Sequence, residues 1–149
     1  MRNIKYIAVH CTAGSQQTTT ISGLKKGWRE LGWKNPGYHY VVMPSGHIEQ
    51  LLDEDKISNG VKGFNSVSVN VAYVGGVDGF GNPEDNRTEE QKAALVFLLE
   101  QLKSRYPLAT IQGHRDFSPD LNGDGEIAEE EFIKYCPCFN AKEEYQNII

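Results

Sequence analysis

The chain has 149 residues, 39% of them hydrophobic and 23% charged, with a formal net charge of -5 at pH 7. That length suits a single domain able to bury roughly two-thirds of its unfolded surface. The acidic balance, with carboxylates crowded between Asp116 and Glu131, excludes the basic face of a nucleic-acid binder. No apolar run approaches the roughly 20 residues that span a bilayer.

The opening segment MRNIKYIAVHCTAG has a basic start and a short apolar run. It lacks the longer apolar segment and small-residue cleavage site of a secretion signal, so synthesis in the cytoplasm without a signal peptide is expected. Three cysteines, Cys11, Cys136 and Cys138, cannot all pair, and the last two are too close for an easy disulfide. Without a secretion signal, thiol chemistry or metal ligation is the better reading of them.

Residues 4–9 (IKYIAV) form a β-branched apolar run that predicts a buried strand, with His10 and Cys11 at its end pointing to opposite faces. On that alternation Cys11 reads as a small buried hydrophobe. A polar stretch ending in threonines leads into a helix over Ile21–Leu31, with Leu24, Trp28 and Leu31 on one side. After the turn WKNPG comes a hairpin, YHYVVM and IEQLL joined by PSGH. Tyr38 and Tyr40 are expected to share one face of its first strand, with His39 on the other. A loop rich in acids and glycines precedes the alternating strand VSVNVAYV at 67–74. Thr88 and Gln91 form a capping box that opens the clearest helix, in which Leu95, Leu98, Leu99 and Leu102 recur at helical spacing and which Pro107 stops. ATIQGH (109–114) reads as a last core strand, EEEFIKY as a short helical turn, and a terminal helix is capped near Asn140. The mixture predicts one α/β domain, a central mixed sheet flanked by helices.

Two histidines, His10 and His114, stand where apolar strands end, a place from which a sheet presents ligands at a common rim. Cys136 follows in a later loop. Imidazole nitrogen and thiolate sulfur suit zinc, and three protein ligands leave a position for water. The three residues form no compact ligand signature, so from spacing alone each histidine taken singly reads first as a structural or surface residue, and His47 in the turn PSGH keeps that reading. Between His114 and Cys136 lies DLNGDGEIAEEE, residues 120–131, in the register of an EF-hand loop. Asp120, Asn122 and Asp124 take its first, third and fifth positions, Gly125 the sixth, and Glu131 the twelfth. Glu126 would supply a backbone carbonyl. The loop is thus a candidate calcium site, the other reading being a solvated acidic turn; clear flanking EF-hand helices are missing.

The segments IAVHCTAG, GWKNPGYHYVVMPSGHIEQ, KGFNSVSVNVAYVGGVD, RTEEQKAALVFLLEQL, GHRDFSP and KYCPCF together resemble the zinc amidases that cut the N-acetylmuramoyl-L-alanine bond of peptidoglycan. That family includes phage amidase lysozymes and peptidoglycan recognition proteins. The resemblance spans nearly the whole chain, in family order. It implies zinc on His10, His114 and Cys136, an active-site tyrosine at Tyr38 and a catalytic lysine at Lys134, with His39 near the substrate groove. Cys138 is the rival to Cys136 as ligand. The implied partner is bacterial peptidoglycan, met by a monomer that reaches the wall after release, as a phage or prophage endolysin does. The alternative is a module that recognises peptidoglycan without cutting it, although retention of Cys136 favours the enzyme. The chain departs from the phage pattern where a histidine gives way to Gly60-Val61, a strand glycine to Asn70, and an aromatic-histidine pair to Gly27-Trp28.

Overall fold

The computed structural model describes residues 2–149. Five strands form one mixed sheet in the order β3-β2-β4-β1-β5. The central strand β1 (Tyr6–Cys11) runs parallel to β4 (Ser68–Tyr73) on one side and to β5 (Thr110–Gly113) on the other. β2 (Tyr40–Val42) is parallel to β4, and β3 (Ile48–Gln50) closes the edge as the antiparallel arm of the predicted hairpin.

Strand alternation gives the sheet two unlike faces. Ile7, Val9 and Cys11 of β1 and Val69, Val71 and Tyr73 of β4 belong to the hydrophobic core. Their alternates, Ala8 and His10 on β1 and Ser68, Asn70 and Ala72 on β4, are small or polar yet equally buried. The first face is covered by α2 (Glu89–Arg105), which contributes Leu95, Leu98, Leu99 and Leu102 at the expected spacing, each worth roughly 1.5–3 kcal/mol of burial. The capping box forms as predicted. Its Gln91 is wholly buried and also donates to the carbonyls of Val42 (3.1 Å) and Val74 (2.9 Å), fastening the helix to β2 and to the end of β4. A short α3 (Ala141–Glu144) packs beside β5. Arg87 ties it down through Glu144 (2.7 Å) and Asp85 (2.8 Å), its guanidinium stacked on Phe139.

Three expectations need correcting. Helix α1 (Ile21–Glu30) is capped by Thr20 as predicted, but it buries no residue fully and leaves Leu31 65% exposed. Of its apolar residues, Trp28 lines a cleft rather than the core. The hairpin strand begins only at Tyr40, and its ladder hydrogen bonds reach back no further than His39, so Gly37 and Tyr38 are not held to strand alternation. Tyr40 therefore joins the core and bonds Glu54, whereas Tyr38 packs on the opposite, polar face. Finally, EEEFIKY provides only a 3-10 turn at Glu129–Glu131, and the terminal helix is a single turn.

Candidate active site

The polar face of the sheet opens at the C-terminal ends of β1 and β5. His10 is the fifth residue of β1, and His114 directly follows β5 in a 3-10 turn (His114–Phe117). Because the two strands are neighbours in register, their ends bring the imidazoles together, 4.9 Å apart and edge to face. Cys136 arrives from 22 residues further along the chain, counting 136 − 114, and is secured by three backbone links. The Arg115 amide donates to its carbonyl (2.8 Å), the Cys11 amide to its sulfur (3.2 Å), and the buried Tyr73 hydroxyl to the carbonyl of Pro137 (2.7 Å). Gly113 allows this approach, since a Cβ there would lie 2.6 Å from Pro137 Cδ.

One ligand-type atom from each of His10, His114 and Cys136 lies within 4.8 Å of the others, and Cys136 Sγ stands 3.8 Å from His10 Nδ1. A tetrahedral zinc holding one nitrogen and one sulfur would separate them by about 3.6 Å. Burial, reinforced at His114 by the His10 charge and at both by Lys134, holds the imidazoles neutral: His10 is lowered to about 4 and His114 to about 3. Neutral imidazole is the form that ligates a metal. The donor set, its spacing and its protonation state fit zinc. Cys138 lies elsewhere, its sulfur 3.9 Å from that of Cys11 and 3.2 Å from the carbonyl of Gly76. Cys11 is buried in the core as expected, its thiol pushed up to about 12 by hydrogen bonding with Cys136 and by burial.

These residues form the floor of a cleft of about 230 Å³, with Tyr38, Trp28, Trp33 and Lys134 on its walls. The half-buried Tyr38 packs 5.1 Å from the His10 ring and edge-on to Trp28 at 5.6 Å. Its hydroxyl donates to the Cys11 carbonyl at 3.3 Å, and desolvation raises its pKa, so it stays protonated. Lys134 is exposed at the rim, two residues before Cys136. His39 is not on a wall. It is fully buried, bonded to Ser58 and the Lys56 carbonyl, and so has no groove face to offer substrate. His47 is an exposed turn residue beside Glu49, as read.

Sequence reasoning missed two contributors. Asn70 Oδ1 lies 2.8 Å from His10 Nε2, and Ser58 bonds the other end of the same amide at 2.7 Å. The available signal was an asparagine at a buried position of an otherwise apolar strand.

The acidic loop is a separate cluster. Carboxylate atoms of Asp120, Asp124 and Glu131 lie within 4.8 Å of one another. Asp120 accepts from the amides of Gly123 (2.9 Å) and Gly125 (2.8 Å), Asn122 from Asp124 (3.1 Å), and Asp124 from Glu126 (2.9 Å). Glu131 is buried and takes the amides of Leu121 and Ala128.

Comparison with known proteins agrees with this architecture. The family model described as N-acetylmuramoyl-L-alanine amidase matches residues 1–136. An endolysin of Klebsiella phage KP32 is 36% identical over 137 residues, covering 91% of this chain and 82% of the relative. The endolysin of Enterobacteria phage K11 is 39% identical over 112 residues, 74% of each chain. Among solved structures, the N-acetylmuramoyl-L-alanine amidase LysC from Clostridium intestinale superposes with a TM-score of 0.74 at 21% identity, over 96% of this chain and 82% of that one. Bumblebee PGRP-SA shares the fold with a TM-score of 0.71 at 15% identity, over 99% of this chain and 83% of that one. The family match covers most of the chain and both of these phage relatives exceed 30% identity, so this protein belongs to the N-acetylmuramoyl-L-alanine amidase family.

Proposed function

We propose that the protein is a zinc-dependent amidase that hydrolyses the bond between N-acetylmuramic acid and the L-alanine of the peptidoglycan stem peptide, working as a phage or prophage endolysin. The observation that carries this reading is the convergence of His10, His114 and Cys136 within 4.8 Å on the floor of an open cleft. The similar phage proteins named endolysin support the biological setting. The protein acts as a monomer that meets the wall once the membrane is breached.

His10, His114 and Cys136 would hold the zinc, which when bound would supply Lewis acidity and lower the pKa of a bound water. The Lys134 ammonium, at the rim of the same cleft, stabilises the negative charge that builds on the lactyl carbonyl oxygen as water adds to the amide carbon. Tyr38 stays protonated, so its hydroxyl, turning from the Cys11 carbonyl it meets at 3.3 Å, donates its hydrogen bond to that oxygen and helps a proton reach the alanine nitrogen. The C–N bond breaks, leaving a carboxylate on the lactyl group and a free amino terminus on the peptide. Trp28 and Trp33 wall the cleft with flat apolar surface for the substrate. His39 takes no part in binding substrate on this reading.

The test is zinc content measured on purified protein together with release of free alanine amino groups from purified peptidoglycan. One equivalent of zinc and steady release is expected. A protein that holds zinc and binds the wall but releases no amino groups is instead a recognition module.

We also propose that the acidic loop binds calcium through Asp120, Asn122, Asp124, the Glu126 carbonyl and Glu131. The convergence of three carboxylates in EF-hand register supports it. Calcium would stiffen the loop and with it the segment bearing Lys134. Adding calcium to about 1 mM to metal-stripped, zinc-restored protein should raise the melting temperature, and an unchanged value rejects the site.

A further inference from the structure

Behind the cleft floor, four fully buried groups make a chain of hydrogen bonds whose direction is set from one end. The backbone amide of Asn70 donates to His39 Nδ1 at 3.0 Å. An amide N–H is never an acceptor, so Nδ1 carries the lone pair, and neutral His39 has its proton on Nε2, donated to the Lys56 carbonyl at 2.7 Å. Arg2 Nη2 stands farther from that nitrogen, at 3.2 Å, and spends its two hydrogens on the carbonyls of Glu54 (2.8 Å) and Ser68 (3.1 Å). The Ser58 hydroxyl, 3.0 Å from the same Nδ1, is then a donor to it. With its one hydrogen spent, Ser58 Oγ accepts from Asn70 Nδ2 at 2.7 Å. That fixes the amide: Asn70 Oδ1 points at His10 Nε2, 2.8 Å away, and accepts its proton. Turning the amide over would ask the single Ser58 hydrogen to serve two acceptors. His10 Nδ1 is left bare, on the side of Cys136 Sγ.

We propose that Asn70 is a positioning residue that, backed by Ser58 and His39, locks His10 in its Nε2–H tautomer and aims Nδ1 at the metal position. The assignment rests on the zinc reading above for its purpose, but not for its geometry. It also accounts for two departures from the phage pattern as one steric couple. Asn70 occupies the space behind Gly60, where an added Cβ would lie 2.4 Å from the amide carbon. A side chain at position 60 and this amide at position 70 exclude each other. His39 thereby gains a role at the far end of the chain rather than in the groove.

The experiment reads the ring nitrogens of ¹⁵N-histidine-labelled, metal-free full-length protein by NMR at neutral pH, and zinc affinity by chelator competition. The wild type is expected to show His10 protonated on Nε2. In Asn70→Ala that preference is lost, and zinc affinity falls about 10- to 100-fold, the usual effect of removing a partner that orients a ligand. Asn70→Asp, which still accepts from Nε2, restores the tautomer and most of the affinity. Ser58→Ala, one link further back, shifts both readouts in the same direction by less. A wild-type His10 protonated on Nδ1, or an Asn70→Ala protein with unchanged tautomer and affinity, overturns the proposal. Should Asn70→Ala fail to fold, the wild-type ring signal and Ser58→Ala decide it. A wild type with the assigned tautomer but no affinity for zinc supports the hydrogen-bonded chain while rejecting the zinc reading.

Discussion

The protein holds two clusters of ligand-type side chains built on opposite plans. His10 and Cys136 are 126 residues apart and meet only because β1, β5 and the 136–138 segment are assembled around them. Asp120, Asp124 and Glu131 come from one short loop and are held by the amides of that same loop. The first cluster is desolvated, and its imidazoles are driven neutral. In the second, Asp120 and Asp124 stand in solvent, so water competes for any ion they hold. A site made by the whole fold is expected to bind tightly and to fail as a unit, whereas one made by a turn binds weakly and fails alone.

The sharpest way to break this contrast is Cys136→Ala. Amidase activity should drop to background and zinc content well below one equivalent, both read on the same preparation by amino-group release and elemental analysis. Next in size, Lys134→Ala is expected to lower kcat by about 100-fold while zinc content stays at the wild-type level, because its charge acts on the substrate oxygen and not on the metal. Tyr38→Phe, which keeps the ring packing on His10 and Trp28, should cost a similar factor of about 100 in kcat with zinc retained. An equal loss of zinc in either variant would show that the wall residues help to build the floor.

Acid acts on the first cluster. His10 and His114 are depressed to about 4 and about 3, so between their ordinary value near 6.5 and pH 4 the unfolded chain takes up protons that the folded chain refuses. Metal-free protein should therefore lose stability as pH falls from about 6.5 to 4, on the order of 10 °C in melting temperature. Zinc should steepen the loss, since its ligands must stay deprotonated. The smallest effect belongs to the loop. Calcium about fivefold above its Kd should add about 1 kcal/mol, roughly 2–4 °C, and Glu131→Gln should abolish that increment.

Much of this organisation was legible in the chain itself. The five strands, the capped α2 with its leucine stripe and the strand-end positions of His10 and His114 follow from local pattern, which is where period and capping chemistry act. The acidic loop was legible for the same reason, its register being complete within twelve positions. What could not be read was anything requiring two distant segments at once. Nothing local to Ser58, His39 or Asn70 announces that they form one chain, since their partners lie 12 to 60 residues away. Strand alternation puts Tyr38 and Tyr40 on one face, but the ladder hydrogen bonds end at His39, and Tyr38 lies beyond them. Helix α1 has a core-like apolar side, and only the fold reveals that Trp28 on it lines a cleft.

The anchoring of Cys136 has a consequence for how this protein can vary. The Arg115 amide grips the Cys136 carbonyl, and the Ser118 hydroxyl receives the Ile133 amide at 3.0 Å, so the excursion from 119 to 132 is stapled shut at its neck. Doubling the length of such a closed excursion costs only about 0.6 kcal/mol in loop entropy. The segment is a port at which chain can be shortened, lengthened or exchanged without disturbing the thiol that follows it.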